Sequence, residues 1–471
     1  MTRHNGRASL RVISGGARTP QAAALPLPPA PDFGPEELAA DMAVLFALGL
    51  AQDLPAAGLG DPHARLATGG TLHELLCELR NLRWFDADEC LSLSPGAVSS
   101  PACAGEAGRR RVLWRNGDGQ LTLRTLMRGA VALRGPEAGL SALPVVVQAT
   151  APDAPPPGAA ATLADWAGWA RAARGMTGET RAPDRLRSLS EAVQAMPAGA
   201  PFWQVALTAL DQGVPLASGL EHWTSGRMLA LLAEAERAAD RIALTRARDG
   251  DRLCRPAVTA ARLSVALSRE DRAPVQPVLA EAAQSLAEAA PRLLDWMGAA
   301  NTRMRGAQRL GRSLFLPLCP ADTAPAQASD LARHALVAGA MATLQKALFD
   351  TAPLGDAACG RARMPGNGLD RLCADVARAR CVAGTHFPAE NHQDLRIGEM
   401  LALTLLRQAL EQDNRPAELA LVDFDGARIV LRCHRRSFGR GMATLLRDGK
   451  PRPWPQAPGH RAAHLTAVSQ G

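Results

Sequence analysis

The chain has 471 residues, with 53 Lys plus Arg against 46 Asp plus Glu and a net charge of +7. Hydrophobic residues make up 47%, enough at this length for one or two domains with real cores, whereas aromatics are only 4% and tyrosine is absent. Ala and Leu dominate the apolar set, which favours helices, argues against a β-sandwich, and leaves few rings for stacking single-stranded bases. No block of five like charges marks a nucleic-acid footprint.

Residues 1–34 read as a polar, Pro-rich tail without a continuous apolar stretch. A first helix is expected from Pro35, where Glu36 and Glu37 precede Met42, Val44, Leu45 and Leu48. A second runs Leu72 to Arg83, with Leu72, Leu75, Leu76 and Leu79 at helical spacing. Val112–Arg115 and Gln120–Leu123, around Asn116-Gly117-Asp118-Gly119, predict a β-hairpin. The Pro-rich stretch 151–158 reads as a loop. Further helices are expected over Met228–Arg248, Pro277–Met297, Asp330–Phe349 (capped by Ser329), Leu369–Val382 and Asp394–Gln412. A terminal hairpin turns at Asp425-Gly426, between Leu419–Phe424 and Ala427–Arg432, and residues 436–471 read as a second polar tail.

No apolar run approaches the ~18 residues needed to span a bilayer, so neither membrane nor nucleic acid is an expected partner. Nine dispersed cysteines, with no CxxC pair, suit free thiols in a reducing compartment and a cytoplasmic location. His63, His73 and Cys77 include an i, i+4 pair suited to metal, but no second pair accompanies it. Cys381 reads as a small apolar filler or, beside Arg380, as a thiol of lowered pKa, and His392 as a solvated or capping residue.

Three stretches form a chemical constellation: Arg248 and, after six intervening residues, Arg255-Pro256; His334 opening an Ala-rich helix; and Arg380, His386 and Glu390. Arginines and helix-end histidines brought together would bind a tetrahedral oxyanion. Guanidinium forks neutralise its oxygens, one imidazole ligates or attacks the central atom, and another moves a proton. The competing reading is that each is an ordinary solvated arginine or structural histidine.

In order and spacing these residues resemble the haloperoxidase and acid-phosphatase superfamily, whose signature is a lysine ahead of Arg-Pro, then Pro-Ser-Gly-His, then Ser-Arg with a histidine six residues after the arginine. The segments Glu221–Glu234 (EHWTSGRMLALLAE), Phe315–Pro320 (FLPLCP), Ala332–Asp350 (ARHALVAGAMATLQKALFD), Ala379–His386 (ARCVAGTH) and Leu395–Glu399 (LRIGE) are similar to its algal and bacterial bromoperoxidase-like branch. So is the hairpin at Phe424-Asp425-Gly426. The likeness spans about 215–435, after a region 35–214 where it is diffuse.

The resemblance implies an all-α fold of two four-helix bundles with small β-hairpins. It implies His386 as vanadate ligand, His334 as acid–base group, and Arg255 and Arg380 as anion binders. Hydrogen peroxide would then oxidise a halide at bound vanadate; whether the chain forms a homo-oligomer is left open by the sequence. The alternatives are a phosphate-ester hydrolase using the same pocket with phosphate, and a fold-retaining protein without catalysis. Departures from the signature are sharp. Ala247 or Arg248 replaces the lysine, Leu331-Ala332-Arg333-His334 replaces Pro-Ser-Gly-His, Ala379 replaces the serine, and Gln327-Ala328 replaces the branch's His-Pro. Two lost donors correspond to roughly 3–6 kcal/mol of anion binding. Arg248 and Arg333 are the expected substitutes, with Arg333 turning inward as a third cation.

Overall fold

The structure is a computed structural model, which describes residues 27–86, 106–115, 119–129, 131, 184–248, 254–268, 275–306, 313–319, 333–349, 351–352 and 364–454. Thirteen α-helices lie among these residues. α1 (Pro35–Leu50) opens with proline and two acids, which suit the unpaired amides and positive end of a helix N-terminus. α2 (Leu72–Arg80) starts with a reciprocal Thr71–Glu74 capping box.

α3 (Glu106–Leu113) ends within the first predicted hairpin arm and α4 (Leu123–Arg128) begins at the last residue of the second, with no strand over the described residues of either arm. The hairpin expectation is therefore wrong. Thr122 accepts from the Thr125 amide and caps α4, and Arg110 in α3 forks onto Glu37 of α1 at 2.6 and 2.9 Å. Tertiary anchoring of this kind outweighs a turn signal, and the central turn residues 116–118 lie outside the described set.

α5 (Leu186–Ala195), α6 (Ala200–Asp211), α7 (Ser225–Arg248) and α8 (Pro256–Leu267) follow. The single helix expected over 277–297 is two, α9 (Pro277–Ala289) and α10 (Pro291–Arg305), because Pro291 has no amide to continue a helix and starts a new one. α11 (Arg333–Leu348), α12 (Gly366–Val382) and α13 (Pro388–Asp413) complete the set; the predicted cap Ser329 lies outside the described residues. α7, α11, α12 and α13 pack as one bundle and α1, α8, α9 and α10 as another, with α1 also touching α12 and α13.

α11 is the central helix, since every residue from Ala335 to Leu348 is buried. It crosses α13 at a point where neither chain has a side chain: a Cβ on Gly339 would stand 2.2 Å from the Leu395 carbonyl oxygen, and one on Gly398 2.2 Å from that of Leu336. Short strands β1 (Thr351–Ala352) and β2 (Met364–Pro365) pair in parallel. The predicted terminal hairpin is present as β3 (Ala417–Val422) and β4 (Arg428–His434).

The expected second tail is partly wrong as well. Residues 442–452 form β5 (Met442–Arg447) and β6 (Lys450–Arg452), which extend the hairpin to an antiparallel sheet in the order β3-β4-β5-β6. Ala443 and Leu445 are buried against the helices, the alternation of a half-buried strand.

Candidate oxyanion site

Arg380 lies near the C-terminal end of α12 and is 1% exposed. Burial pushes its guanidinium down to about 10; the neighbouring Cys381 opposes this and the positive charge of Arg255 adds to it. The chain leaves α12 through Gly384, whose φ of +64° favours glycine. The Thr385 amide and hydroxyl both donate to the Arg380 carbonyl, at 3.2 and 3.0 Å. This knot brings His386 back beside the helix end and delivers Pro388 as the first residue of α13.

His386 is 4% exposed, and neither ring nitrogen has a hydrogen-bond partner among the described residues. Its Nδ1 approaches Glu390 Oε2 at 3.4 Å, an ion-pair distance without hydrogen-bond alignment. The same Oε2 accepts from the Phe387 amide at 3.0 Å, so a capping carboxylate is held against one side of the imidazole. Nε2, on the other side, has no such neighbour.

Arg255 immediately precedes α8, and the Ala257 amide in the first turn of that helix donates to the Gly384 carbonyl at 3.3 Å. The N-terminus of α8 is thus docked on the loop between Arg380 and His386. Leu316 and Pro317, within the predicted FLPLCP segment, pack on the other side of Gly384.

His334 is the second residue of α11. Its Nε2 lies 3.3 Å from the Met196 carbonyl, just past α5, and its Nδ1 is buried without a partner. Burial lowers its pKa; the Met196 carbonyl opposes this, and the charge of nearby His386 adds to the lowering. A carbonyl partner at Nε2 assigns the proton there and leaves Nδ1 as an acceptor. The loop carrying Arg255 is thus docked on the loop carrying His386, and the charges of His386 and Arg255 act on His334 and Arg380 in turn.

Arg333 does not turn inward. Its guanidinium forks onto Asp240 of α7 at 2.6 and 2.9 Å, with 44% of the side chain exposed, because a carboxylate on the facing helix satisfies both nitrogens at the surface. Arg248 ends α7, and its side chain lies outside the described residues. Ala379 offers its carbonyl to the Ser190 hydroxyl of α5 at 3.2 Å, and Gln194 donates to Ser190 at 3.0 Å. These two polar residues and Met196 were not found from sequence; α5 carries no motif, and only the fold brings it beside α12.

Three side readings change. His392 is buried with Nε2 unpartnered, and burial holds its imidazole well below the usual range, so it is neither solvated nor a cap. It lines a small cavity with Asp41, Arg110, Trp114 and Pro388. Burial pushes the Cys381 thiol up rather than down, and Asn391 donates to it, which leaves the filler role. His73 and Cys77 approach at 3.7 Å on the surface, but no cluster of three metal-ligating side chains occurs among the described residues.

No family model and no curated protein matches the sequence. A solved structure, the homohexameric second vanadate-dependent bromoperoxidase (AnII) from Ascophyllum nodosum, matches with a TM-score of 0.56 and 14% identity, covering 90% of this chain and 75% of that one. At that identity the likeness concerns the fold. It covers far more than residues 215–435, so the architecture extends into the N-terminal region where the sequence likeness is diffuse. The chain has a helical, haloperoxidase-like fold.

Proposed function

We propose that the pocket formed by Arg255, His334, Arg380 and His386 binds a tetrahedral oxyanion and that the chain is a vanadate-dependent haloperoxidase. The observation that carries this reading is the presence, on two neighbouring buried rings at helix ends, of imidazole nitrogens without a hydrogen-bond partner among the described residues, foremost Nε2 of His386. Leaving such atoms unmatched costs roughly 1–3 kcal/mol each unless a ligand or water satisfies them. Arg380 and Arg255, whose charges act on each other, are the pair that would supply the charge an oxyanion needs.

The residues present fit vanadate. His386 Nε2 would hold the central atom, with Glu390 orienting the ring through Nδ1. Arg380 and Arg255 would neutralise the oxygens. When bound, vanadate supplies the centre at which hydrogen peroxide becomes able to oxidise a halide. His334, kept neutral by burial, would be the group that takes up and returns a proton beside it. With the signature lysine absent and Arg333 committed to Asp240, Arg248 is the remaining expected substitute for a third cation. The homohexameric assembly of the Ascophyllum nodosum protein supports a homo-oligomer here as well.

Calorimetric titration with orthovanadate, followed by peroxide-dependent bromination, tests the reading. His386→Ala should abolish both binding and turnover while the thermal midpoint stays in place. Loss of one arginine contact should weaken binding by about 10- to 150-fold, the equivalent of a charged hydrogen bond. Phosphate binding with phosphate-ester cleavage and no bromination would transfer the site to the hydrolase reading. A wild-type chain that binds neither anion would sink the site reading altogether.

A further inference from the structure

We propose that the turn joining β4 to β5 is a docking tip for a bilayer surface bearing anionic phospholipid, a property separate from the oxyanion pocket. Phe438 sits on this turn and is 91% exposed, far more than any other large apolar residue among those described. Arg435, Arg436 and Arg440 flank it, and all three are exposed. Arg415, also exposed, follows Asn414 at the base.

The turn is held out from the protein by its stems. Asn414 takes a left-handed conformation (φ 50°) at the end of α13. Its side chain donates to the Arg436 carbonyl at 2.8 Å and accepts from the Arg436 amide at 2.7 Å. On the other strand the Gly441 amide donates to the Glu411 carbonyl at 2.7 Å. Both stems are therefore fixed to the last turns of one helix, and the tip between them projects with its aromatic ring in water.

The charge at the tip is uncompensated. Among the described residues no carboxylate reaches ion-pair distance of Arg415, Arg435, Arg436 or Arg440. The nearest acids in sequence are already taken, Glu411 by Arg407 and Asp413 by Arg227 and His222. A single ring on a convex turn lacks the successive platforms on which single-stranded nucleic acid stacks. It suits a soft interface, where an aromatic ring settles at headgroup depth and flanking arginines meet lipid phosphates. The four cations select an anionic surface over a zwitterionic one.

The location keeps this role apart from the pocket. His386 and Glu390 lie at the start of α13 and Asn414 at its end, 26 residues on. At 1.5 Å per residue that is roughly 39 Å, so a docked chain keeps its pocket open to solution. No described helix is long and apolar enough to cross a membrane, and a docking tip needs none.

The test is co-sedimentation of the full chain with mixed phosphatidylcholine–phosphatidylglycerol vesicles and with phosphatidylcholine alone. Wild type should partition onto the mixed vesicles only, and added salt should release it. Phe438→Ala should lower the partition about tenfold, and the triple change of Arg435, Arg436 and Arg440 to Ser about a hundredfold. Thermal midpoint and vanadate affinity should be unaltered, since the turn touches neither core nor pocket. Equal partition onto both vesicle types, or variants that bind like wild type, overturns the proposal. So does a variant whose mass in lipid-free light scattering differs from wild type, which makes the tip a contact between copies. Phe438-dependent binding to an oligonucleotide in place of vesicles overturns it as well.

Discussion

His334 and Arg333 are neighbours in sequence with opposite surroundings: one is a buried ring against the Met196 carbonyl, the other pairs with a surface carboxylate. Arg333→Gly should therefore leave vanadate affinity unchanged and cost at most about 1 kcal/mol in urea unfolding, the usual range for a half-exposed ion pair. A clear loss of anion affinity would show that the side chain leaves Asp240 to serve the pocket. His392 tests burial. Its folded pKa lies well below 6.5, chiefly because the ring is desolvated, with Arg396, Arg110 and Arg109 adding to the effect. The unfolded chain then binds the extra proton first, so stability is full above pH 6.5 and falls below it, by up to about 1.4 kcal/mol per pH unit. His392→Gln should flatten that acid limb. Glu399 is displaced upward, to about 8, by burial; Lys346 opposes the shift and Asp423 adds to it. Its contribution is complete below 4.5 and lost as pH rises through about 8. Glu399→Gln should gain on wild type across that interval, and unfolding curves that stay parallel with pH would contradict the assignment.

Among elements, the α11–α13 crossing positions the site, because His334 begins one helix and His386 lies just ahead of the other. Gly339 and Gly398 allow the two backbones to meet. Gly339→Ala or Gly398→Ala should destabilise by at least the ~1–3 kcal/mol of an overpacked core, since the clash is with backbone. Anion affinity should fall with it, because His334 and His386 cannot keep their spacing if the helices part. Unfolding midpoints and vanadate titration measured on the same variants check both halves. The far side of this crossing is closed by a buried network: Lys346 donates to Asp370 at 2.8 Å and to the Val422 carbonyl at 2.7 Å, over the Phe424 ring. Attraction by Asp370 and Glu399 outweighs burial and keeps the ammonium charged. The terminal hairpin is thus tied into the bundle.

For the whole molecule, the last two strands matter most. β5 covers β4 along six residue pairs and buries Ala443 and Leu445. Truncation after residue 436 should expose the edge of β4 and the apolar side chains beneath it. The expected outcome is a lower thermal midpoint and concentration-dependent aggregation of the truncated chain. A truncated chain that melts like wild type would return residues 442–452 to the status of a dispensable tail. The two bundles share α1 as a common element, so the N-terminal region belongs to the same architecture as the site.

The sequence by itself determined the helical class, most helix positions and the β3–β4 hairpin. Its local signals were strong: Ala/Leu periodicity, prolines at helix starts, and Asp-Gly at a turn. What only the tertiary structure decided depended on partners distant in the chain. Asp240 captured Arg333 from 93 residues away. Glu37 anchored α3, 73 residues ahead of Arg110, where Asn-Gly and Asp-Gly predicted a hairpin. β5 and β6 read as tail because arginines and prolines surround them, and they became strands by pairing with β4. Ser190 and Met196 reached Ala379 and His334 from a helix, and the residue just past it, that carry no motif. Each of these outcomes follows from desolvation and pairing across the fold, terms that no window of local sequence contains.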